Sequence, residues 1–497
     1  MASKQEPNFP LRLLVDKERN CVVLAEANGD FIDILFSFLT LPLGTIIRLV
    51  SKKKLHDPSD ETGCINNLYR SVKNFGSEVF WNHICKTMLL SPRNPCEALC
   101  QKLKLKIDDS EPTKFFMCSS CRVGSDVLLS TFSGASCFSC GKLMDKEMKL
   151  HGDSTEENHG HGGGIFVKGE TMYLIFDDLK VVQSSPGNSV QHLLQLGYKN
   201  FHKLIEMSPS VGMSEILGLL KQALTSKSPL SDVFLANEES KKMTTFSPKL
   251  GPKIVKCIHN SVINLKVTVR KSRKKILYAE TEGDFVDFLF SFLTTPLGSI
   301  LKLLNGNCSM GCVDNLYKSV KDLKDLNPSL FTRPPGTDPL LDPPVASQFG
   351  CRRQPLNHFE DESPSYWYGT GVIKNNICYA NKNGVISKKK NLIHNPEDMK
   401  LFEPRSPDGT REFAEGFVRR PSLFVVWDDL QVTHLAKTSS ISFLQKLNVP
   451  LDDLEEHVVS IGETEALNLL GASLTSKAAL TDGLFYLLKK PKEESTA

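Results

Sequence analysis

The feature that most limits how this chain can fold is that it repeats itself. Leu11 to Val50 reads LRLLVDKERNCVVLAEANGDFIDILFSFLTLPLGTIIRLV, and Leu265 to Leu304 reads LKVTVRKSRKKILYAETEGDFVDFLFSFLTTPLGSILKLL. About half of these positions are identical without a gap, well beyond what shared composition produces. Three further pairs of blocks follow: GCINNLYRSVKNF from Gly63 with GCVDNLYKSVKDL from Gly311, YLIFDDLKVV from Tyr173 with LFVVWDDLQVT from Leu423, and LTSKSPLSD from Leu224 with LTSKAALTD from Leu474. Their order is the same in both halves, so a whole module is repeated and not a motif. A chain of 497 residues is in any case too long for one ordinary domain. The expected organisation is a first module over 9–236, a linker over 237–260 and a second module over 261–490.

Each copy opens alike. Leu11–Val15 and Cys21–Ala25 read as two strands around the charged turn 16–20, and Asn28-Gly29 as a turn. Asp30 then reads as a helix N-cap, with Asp33 three residues on in the manner of a capping box. Polar or small residues fall at 30, 33, 37, 40 and 44, and the rest are Phe, Ile and Leu. So narrow a polar stripe predicts a helix buried on most sides. The apolar run 31–50 is long enough to span a bilayer. It contains Asp33, Pro42, Gly44 and Arg48, and a charge within a span costs at least ~2.5 kcal/mol. A buried helix that breaks at Pro42 fits better, so no membrane association is expected. Further helices are expected at 66–75, 189–196 and 214–224, and a strand at 172–176 that stops at Asp177-Asp178. The second copy carries a Pro-rich stretch, about 328–366, expected to be an exposed or disordered loop.

The fold class expected is α+β, two tandem homologous modules, the first interrupted by a zinc-ribbon-like insertion at about 114–145. That insertion holds Cys118-Ser-Ser-Cys121 and Cys137-Phe-Ser-Cys140, two CxxC pairs fifteen residues apart. A CxxC turn lets two thiolates reach one ion, and two such knuckles complete a tetrahedral Zn²⁺ site. Gly141 suits the tight turn behind the last cysteine. Four thiolates leave no open position for water, so the metal is expected to be structural. Free or redox-active thiols, or an iron–sulfur centre, are the alternatives. His151, His159 and His161 lie near enough to replace a cysteine, but their Gly-rich setting favours a loop. The second copy has only Cys351 and Cys378 in the equivalent stretch, too far apart for a knuckle, so metal is not expected to be essential to the module core.

The four repeated blocks together resemble the plant proteins grouped as domain of unknown function 674, and the resemblance covers nearly the whole chain, once per copy. It implies a plant source and a soluble protein, and it carries no activity, substrate or catalytic residue across. The second copy departs from the fuller pattern by lacking the cysteine pairs.

No catalytic residue can be named. Asp177-Asp178 and Asp428-Asp429, each pair at a strand end, could hold Mg²⁺ or act as acid and base, but Asp also simply starts turns. Asp33 and Asp287 sit in very apolar helices, where capping explains them. Lys227 and Lys477 end a helix without a phosphate-binding loop. His161-Gly-Gly-Gly164 looks like an oxyanion-hole segment, but no GxSxG elbow accompanies it. Arg270–Lys275, with Lys52–Lys54 and Lys388–Lys390, could touch nucleic acid or serve as a nuclear signal, though solvated turns are favoured. The net charge of +3 adds no global field. Fourteen cysteines, four in metal spacing, suggest a reducing compartment, cytoplasm or nucleus. A non-catalytic protein-binding or regulatory protein with one structural zinc is therefore expected, ahead of an enzyme using the carboxylate pairs or a nucleic-acid binder.

Overall fold

The structure is a computed structural model that describes residues 9–52, 63–121, 128–152, 163–235, 262–333, 338–345, 349, 353–356, 365–374, 377–406, 416–435 and 449–488. The expected linker 237–260 lies outside these. The first half supplies strands β1 (Leu11–Asp16), β2 (Cys21–Asn28), β3 (Phe115–Met117), β4 (Leu128–Leu129), β5 (Lys146–Met148), β6 (Met172–Phe176), β7 (Val181–Gln183) and β8 (Leu204–Met207). The second supplies β9 (Ile263–Arg270), β10 (Lys275–Glu282), β11 (Tyr366–Lys374), β12 (Ile377–Ser387), β13 (Ile393–His394), β14 (Glu397–Leu401), β15 (Leu423–Trp427), β16 (Val432–His434) and β17 (Leu454–Ile461). The helices used below are α1 (Gly29–Ser37), α2 (Leu43–Lys52), α3 (Ile65–Asn74), α4 (His83–Leu90), α5 (Glu97–Cys100), α6 (Pro186–Gln195), α7 (Met213–Thr225), α8 (Pro229–Phe234), α9 (Gly283–Thr294), α10 (Leu297–Leu303) and α11 (Val313–Leu326).

Helices and sheets mix as an α+β fold with four sheets. Two of the sheets match strand for strand: β7-β6-β2-β1-β8 and β16-β15-β10-β9-β17, antiparallel throughout. Both opening hairpins carry a bulge at the equivalent residue, Val23 and Leu277. The apolar helices follow, and they are buried as their composition requires. In α1, Phe31, Ile32, Ile34, Leu35 and Phe36 are fully buried, and the equivalent faces of α9 are too. The helix breaks before Pro42 and resumes as α2, as expected. No described helix is long and apolar enough to cross a membrane.

Two local expectations fail. No turn separates β2 from α1: the strand runs to Asn28 and the helix starts at Gly29. The N-cap is Asn28, whose side chain accepts the Phe31 N–H at 3.4 Å, so neither Asp30 nor Asp33 plays that part. The Pro-rich stretch is also less exposed than its composition suggests. Among its described residues, Leu340, Val345, Phe349 and Leu356 are buried. Prolines rule out regular hydrogen bonding there, but apolar side chains between them still anchor on the core.

The halves interlock. Helix α3 of the first half packs on the sheet of the second, and α11 of the second packs on the sheet of the first. Asn67 Nδ2 donates to the Asp429 carbonyl at 2.8 Å, and the Val432 N–H donates to Ser71 Oγ at 2.9 Å. In the reciprocal contact Asn315 Nδ2 donates to the Asp178 carbonyl at 3.0 Å, and the Val181 N–H to Ser319 Oγ at 2.9 Å. Just before each helix, Cys64 N–H donates to the Ser473 carbonyl and Cys312 N–H to the Ala223 carbonyl, both at 2.7 Å. Gly311 has φ +51° there, and a Cβ would lie 2.3 Å from the Ala223 oxygen, so the close crossing requires glycine. At the centre the two Pro-Leu kinks pair with each other: Leu43 N–H donates to Thr295 O and Leu297 N–H to Leu41 O. One continuous apolar core runs through both halves.

The middle segments, where the two sequences diverge, also join. Strands β12, β11, β14 and β4 form one sheet, with β4 of the first half parallel to β14 of the second. The β3–β5 pair lies alongside, and Phe115, Met117, Leu129, Met148, Tyr366, Ile386 and Met399 make a second small core there.

Candidate metal centre

The four predicted cysteines meet. Strand β3 delivers the chain directly to Cys118, and β5 takes it away. Between them the sulfurs of Cys118, Cys121, Cys137 and Cys140 all lie within 4.8 Å of one another. Cys118 Sγ is 3.4 Å from Cys140 Sγ, and Cys121 Sγ is 3.6 Å from Cys137 Sγ. These separations are too long for disulfides. They approach the ~3.8 Å edge of a tetrahedron with ~2.3 Å metal–sulfur bonds.

The second knuckle is a closed hairpin turn. Cys137 N–H donates to Lys142 O and Gly141 N–H to Cys137 O, both at 2.7 Å, and Met144 N–H returns to Ala135 O. Gly141 takes φ +72°, the left-handed conformation its position after Cys140 suggested. Lys142 Nζ reaches Ser120 Oγ at 3.1 Å and ties the second knuckle to the first. Cys118 is buried and Cys140 is exposed, so the site sits at the protein surface with one side against the core.

Electrostatics favour a cation here. Burial raises the Cys118 thiol, but N–H groups of Ser120 and Cys121 and the adjoining cysteine sulfurs outweigh it and bring it to about 7. Cys121 is pushed the other way, to about 12, by the sulfurs of Cys140, Cys137 and Cys118 around it. Four sulfurs this close resist collecting negative charge unless a cation is present. Such a donor set could hold a metal ion. Among the described residues no histidine joins it. His151 is placed by its backbone, which donates to Ile386 O, and His159 and His161 lie outside the described residues. In the second half Cys378 is exposed on β12, and Cys351 lies outside the described residues.

The other sequence candidates prove to be anchors. Asp177 accepts the Ser231 N–H at 2.8 Å and its hydroxyl at 2.5 Å, holding α8 to the first sheet. Asp428 does the same in the second half, accepting Thr481 N–H and Oγ1, with Lys275 Nζ at 3.1 Å. Burial raises both carboxyls, and these donors oppose it. Asp178 and Asp429 close the following turn by accepting Lys180 and Gln431 N–H. Lys227 lines a cleft of about 390 Å³ with Arg19, Asp178 and His192, whereas Lys477 is exposed.

Asp33 and Asp287 are clamps. Asp33 accepts the N–H groups of Ile165, Phe166 and Val167 at 2.6, 2.9 and 2.9 Å. Asp287 accepts those of Phe417 and Val418 and pairs with Arg420 at 2.8 Å. The sequence signal for this existed and was missed: Phe-Val stands eleven residues before the Asp-Asp pair in both halves. His161 and Gly162 lie outside the described residues; Gly163-Gly164 lead into the clamped segment.

The two ends of the basic turn 270–275 are paired, Arg270 to Asp453 and Lys275 to Asp428, while Lys271, Arg273 and Lys274 between them are exposed. Arg270 Nε donates to Asp453 at 2.8 Å, and Ser272 donates to it through N–H and hydroxyl. These bonds, led by those from Ser272 and Arg270, bring Asp453 down to about 2. Lys52 pairs with Asp109, Lys53 and Lys54 lie outside the described residues, and Lys390 lies over the Trp367 ring at 4.7 Å.

Fold and site together define an α+β chain of two interlocked halves with a four-cysteine knuckle pair at its surface. The family model described as "Protein of unknown function (DUF674)" matches residues 5–464, and the chain belongs to that family. No curated protein and no solved structure matches the chain.

Proposed function

We propose that this is a non-catalytic binding or regulatory protein in which Cys118, Cys121, Cys137 and Cys140 hold one structural zinc ion. The observation that carries this is the convergence of four sulfurs within 4.8 Å, which fills a tetrahedral sphere and leaves no position for substrate or water. The carboxylate pairs that would have served an enzyme are instead taken up by Ser231, Thr481, Lys275 and turn N–H groups. A protein partner is favoured over nucleic acid, because pairing of Arg270 and Lys275 to Asp453 and Asp428 leaves the basic turn only Lys271, Arg273 and Lys274, too few for an extended phosphate-binding patch. None of the described cysteines is in a disulfide, which suits the cytoplasm or nucleus.

Metal analysis of the purified full chain tests the zinc. One equivalent of zinc per chain is expected, falling to none in Cys118→Ser/Cys137→Ser. Iron with a visible charge-transfer spectrum, or a metal-free wild type that takes up no zinc at micromolar concentration, would overturn the assignment.

A further inference from the structure

Between the helical core and the third sheet lies a cleft of about 610 Å³, within the usual range for small-molecule sites. Both halves build it. The segment around α5 and strands β3 and β5 come from the first, and Pro296, Phe349 and Tyr366 from the second.

Its chemistry is lopsided. Arg93 on the wall donates to the Thr131 carbonyl and stacks on Phe132 at 4.8 Å, and among the described residues no carboxylate pairs with it. Burial draws its guanidinium below the ordinary value, and Glu97 offsets this in part. Glu97 is itself engaged: it accepts the Thr113 N–H at 2.7 Å, the Thr113 hydroxyl at 2.5 Å and Gln101 Nε2 at 2.7 Å. Arg93 is half-buried, and among the described residues its charge is met by the Thr131 carbonyl, the Phe132 ring and Glu97, with no carboxylate in direct contact. A second polar group lies on the same wall. Thr131 is 6% exposed, and its hydroxyl has no hydrogen-bond partner among the described residues. Lys114, Lys149 and Lys388 stand exposed on the lining, against Glu97 and Glu147, and Lys114 lies 3.9 Å from Glu111. The remaining lining is mixed: Asn94, Gln101 and Thr113 are polar, and the apolar part includes Met148 and the rings of Phe115 and Tyr366, which lie 5.4 Å apart and are tilted by 56°.

We propose that this cleft binds a small organic anion, a carboxylate or phosphate ester on an apolar body, with the acid group taken by Arg93 and Thr131. Arg offers five donors in a planar fork that suits either group. The apolar lining, to which Phe115, Val345, Phe349 and Tyr366 contribute, takes the body, and the lysines raise the local anion concentration. The assignment stands apart from the zinc site, because none of these groups is a cysteine ligand.

The test is titration calorimetry on the full chain with 1-naphthyl phosphate, 1-naphthoate and neutral 1-naphthol, with zinc content measured on the same samples. At least one anion should bind once per chain, at least about tenfold more tightly than naphthol. Arg93→Gln should weaken the anion by about tenfold or more and leave naphthol unchanged, and Thr131→Val should have a smaller effect in the same direction. Lys114→Glu/Lys149→Glu changes only exposed residues, so it reports even if Arg93→Gln fails to fold. It should weaken the anion and flatten its salt dependence. The anion that binds more tightly identifies the acid group. Equal affinity for naphthol, wild-type anion affinity in the charge-reversed variant, or no anion binding at millimolar concentration would each overturn the proposal, whatever the zinc content.

Discussion

Ser71 and Ser319 occupy the same place in α3 and α11, and each reaches into the opposite half. Their hydroxyls accept the N–H groups of Val432 and Val181, both at 2.9 Å, and donate to Asn67 O and Asn315 O at 2.7 Å. Ser71 is 4% exposed and Ser319 is 1% exposed, so water cannot replace the lost acceptor. Substitution by alanine leaves one buried strand N–H unsatisfied, which costs ~1–3 kcal/mol. We take about 2 kcal/mol for each. The two contacts lie on opposite sheets and share no partner, so the double variant should lose about 4 kcal/mol. That is a large part of the ~5–15 kcal/mol by which native proteins are stable. Because the contacts cross between halves and the core is continuous, either substitution should destabilise the whole molecule. Urea unfolding followed by far-UV circular dichroism and by tryptophan fluorescence should show one coincident transition in wild type, Ser71→Ala and Ser319→Ala, with the midpoint displaced in each variant. Two separable transitions with only one displaced, or a double variant within about 0.5 kcal/mol of wild type, would refute the interlock as an energetic unit.

The clamping carboxyls give the protein a pH signature. Burial raises Asp33 to about 6 against its N–H donors, and raises Asp287 to about 6 against Arg420. Both lie above the ordinary ~3.9, so each contributes stability that is full below pH ~4 and is lost as pH rises through 6. Urea midpoints between pH 4.5 and 7 should therefore fall with pH less steeply in Asp33→Asn/Asp287→Asn than in wild type, and an unchanged slope would count against this. Asp428→Ala strands the Thr481 N–H and leaves Lys275 without its partner, and should cost about 2 kcal/mol by denaturation. A loss below about 0.5 kcal/mol would show that this anchor is dispensable. Chelation of the proposed zinc should loosen the knuckles and the adjoining β3–β5 pair, while hydrogen exchange in β1, β2, β9 and β10 stays slow. Their simultaneous loss of protection would contradict a peripheral metal.

Much of this was legible in local sequence. The hairpin and strand 172–176, the buried helix broken at Pro42, and the helices near 66–75 and 214–224 follow from periodicity and breakers, which act over a few residues. The sheet of β11, β12 and β14 was not expected. Its two long strands hide within a Gly- and Asn-rich stretch, YWYGTGVIKNNICYANKNGVIS, where weak alternation competes with strong turn signals. Asp33 was misassigned because a carboxylate near a helix start fits a cap locally, while its real partners, residues 165–167, are more than 130 positions away.

The sequence by itself determined the repeated strand and helix content, the burial of the Phe/Leu helices and the four cysteines spaced to share an ion. Each is fixed by residue type and short-range spacing. Only the tertiary structure decided that the repeated blocks satisfy one another across the halves, with Asn67 and Ser71 on the Asp429 turn and Asn315 and Ser319 on the Asp178 turn. It alone also placed Arg93 beside Thr131 in a cleft built from both halves. The physical reason is that a polar group's partner is chosen by which surfaces the buried apolar faces bring together. Equal blocks in a repeated sequence offer the same bonds within a half as between halves, and packing selects between them.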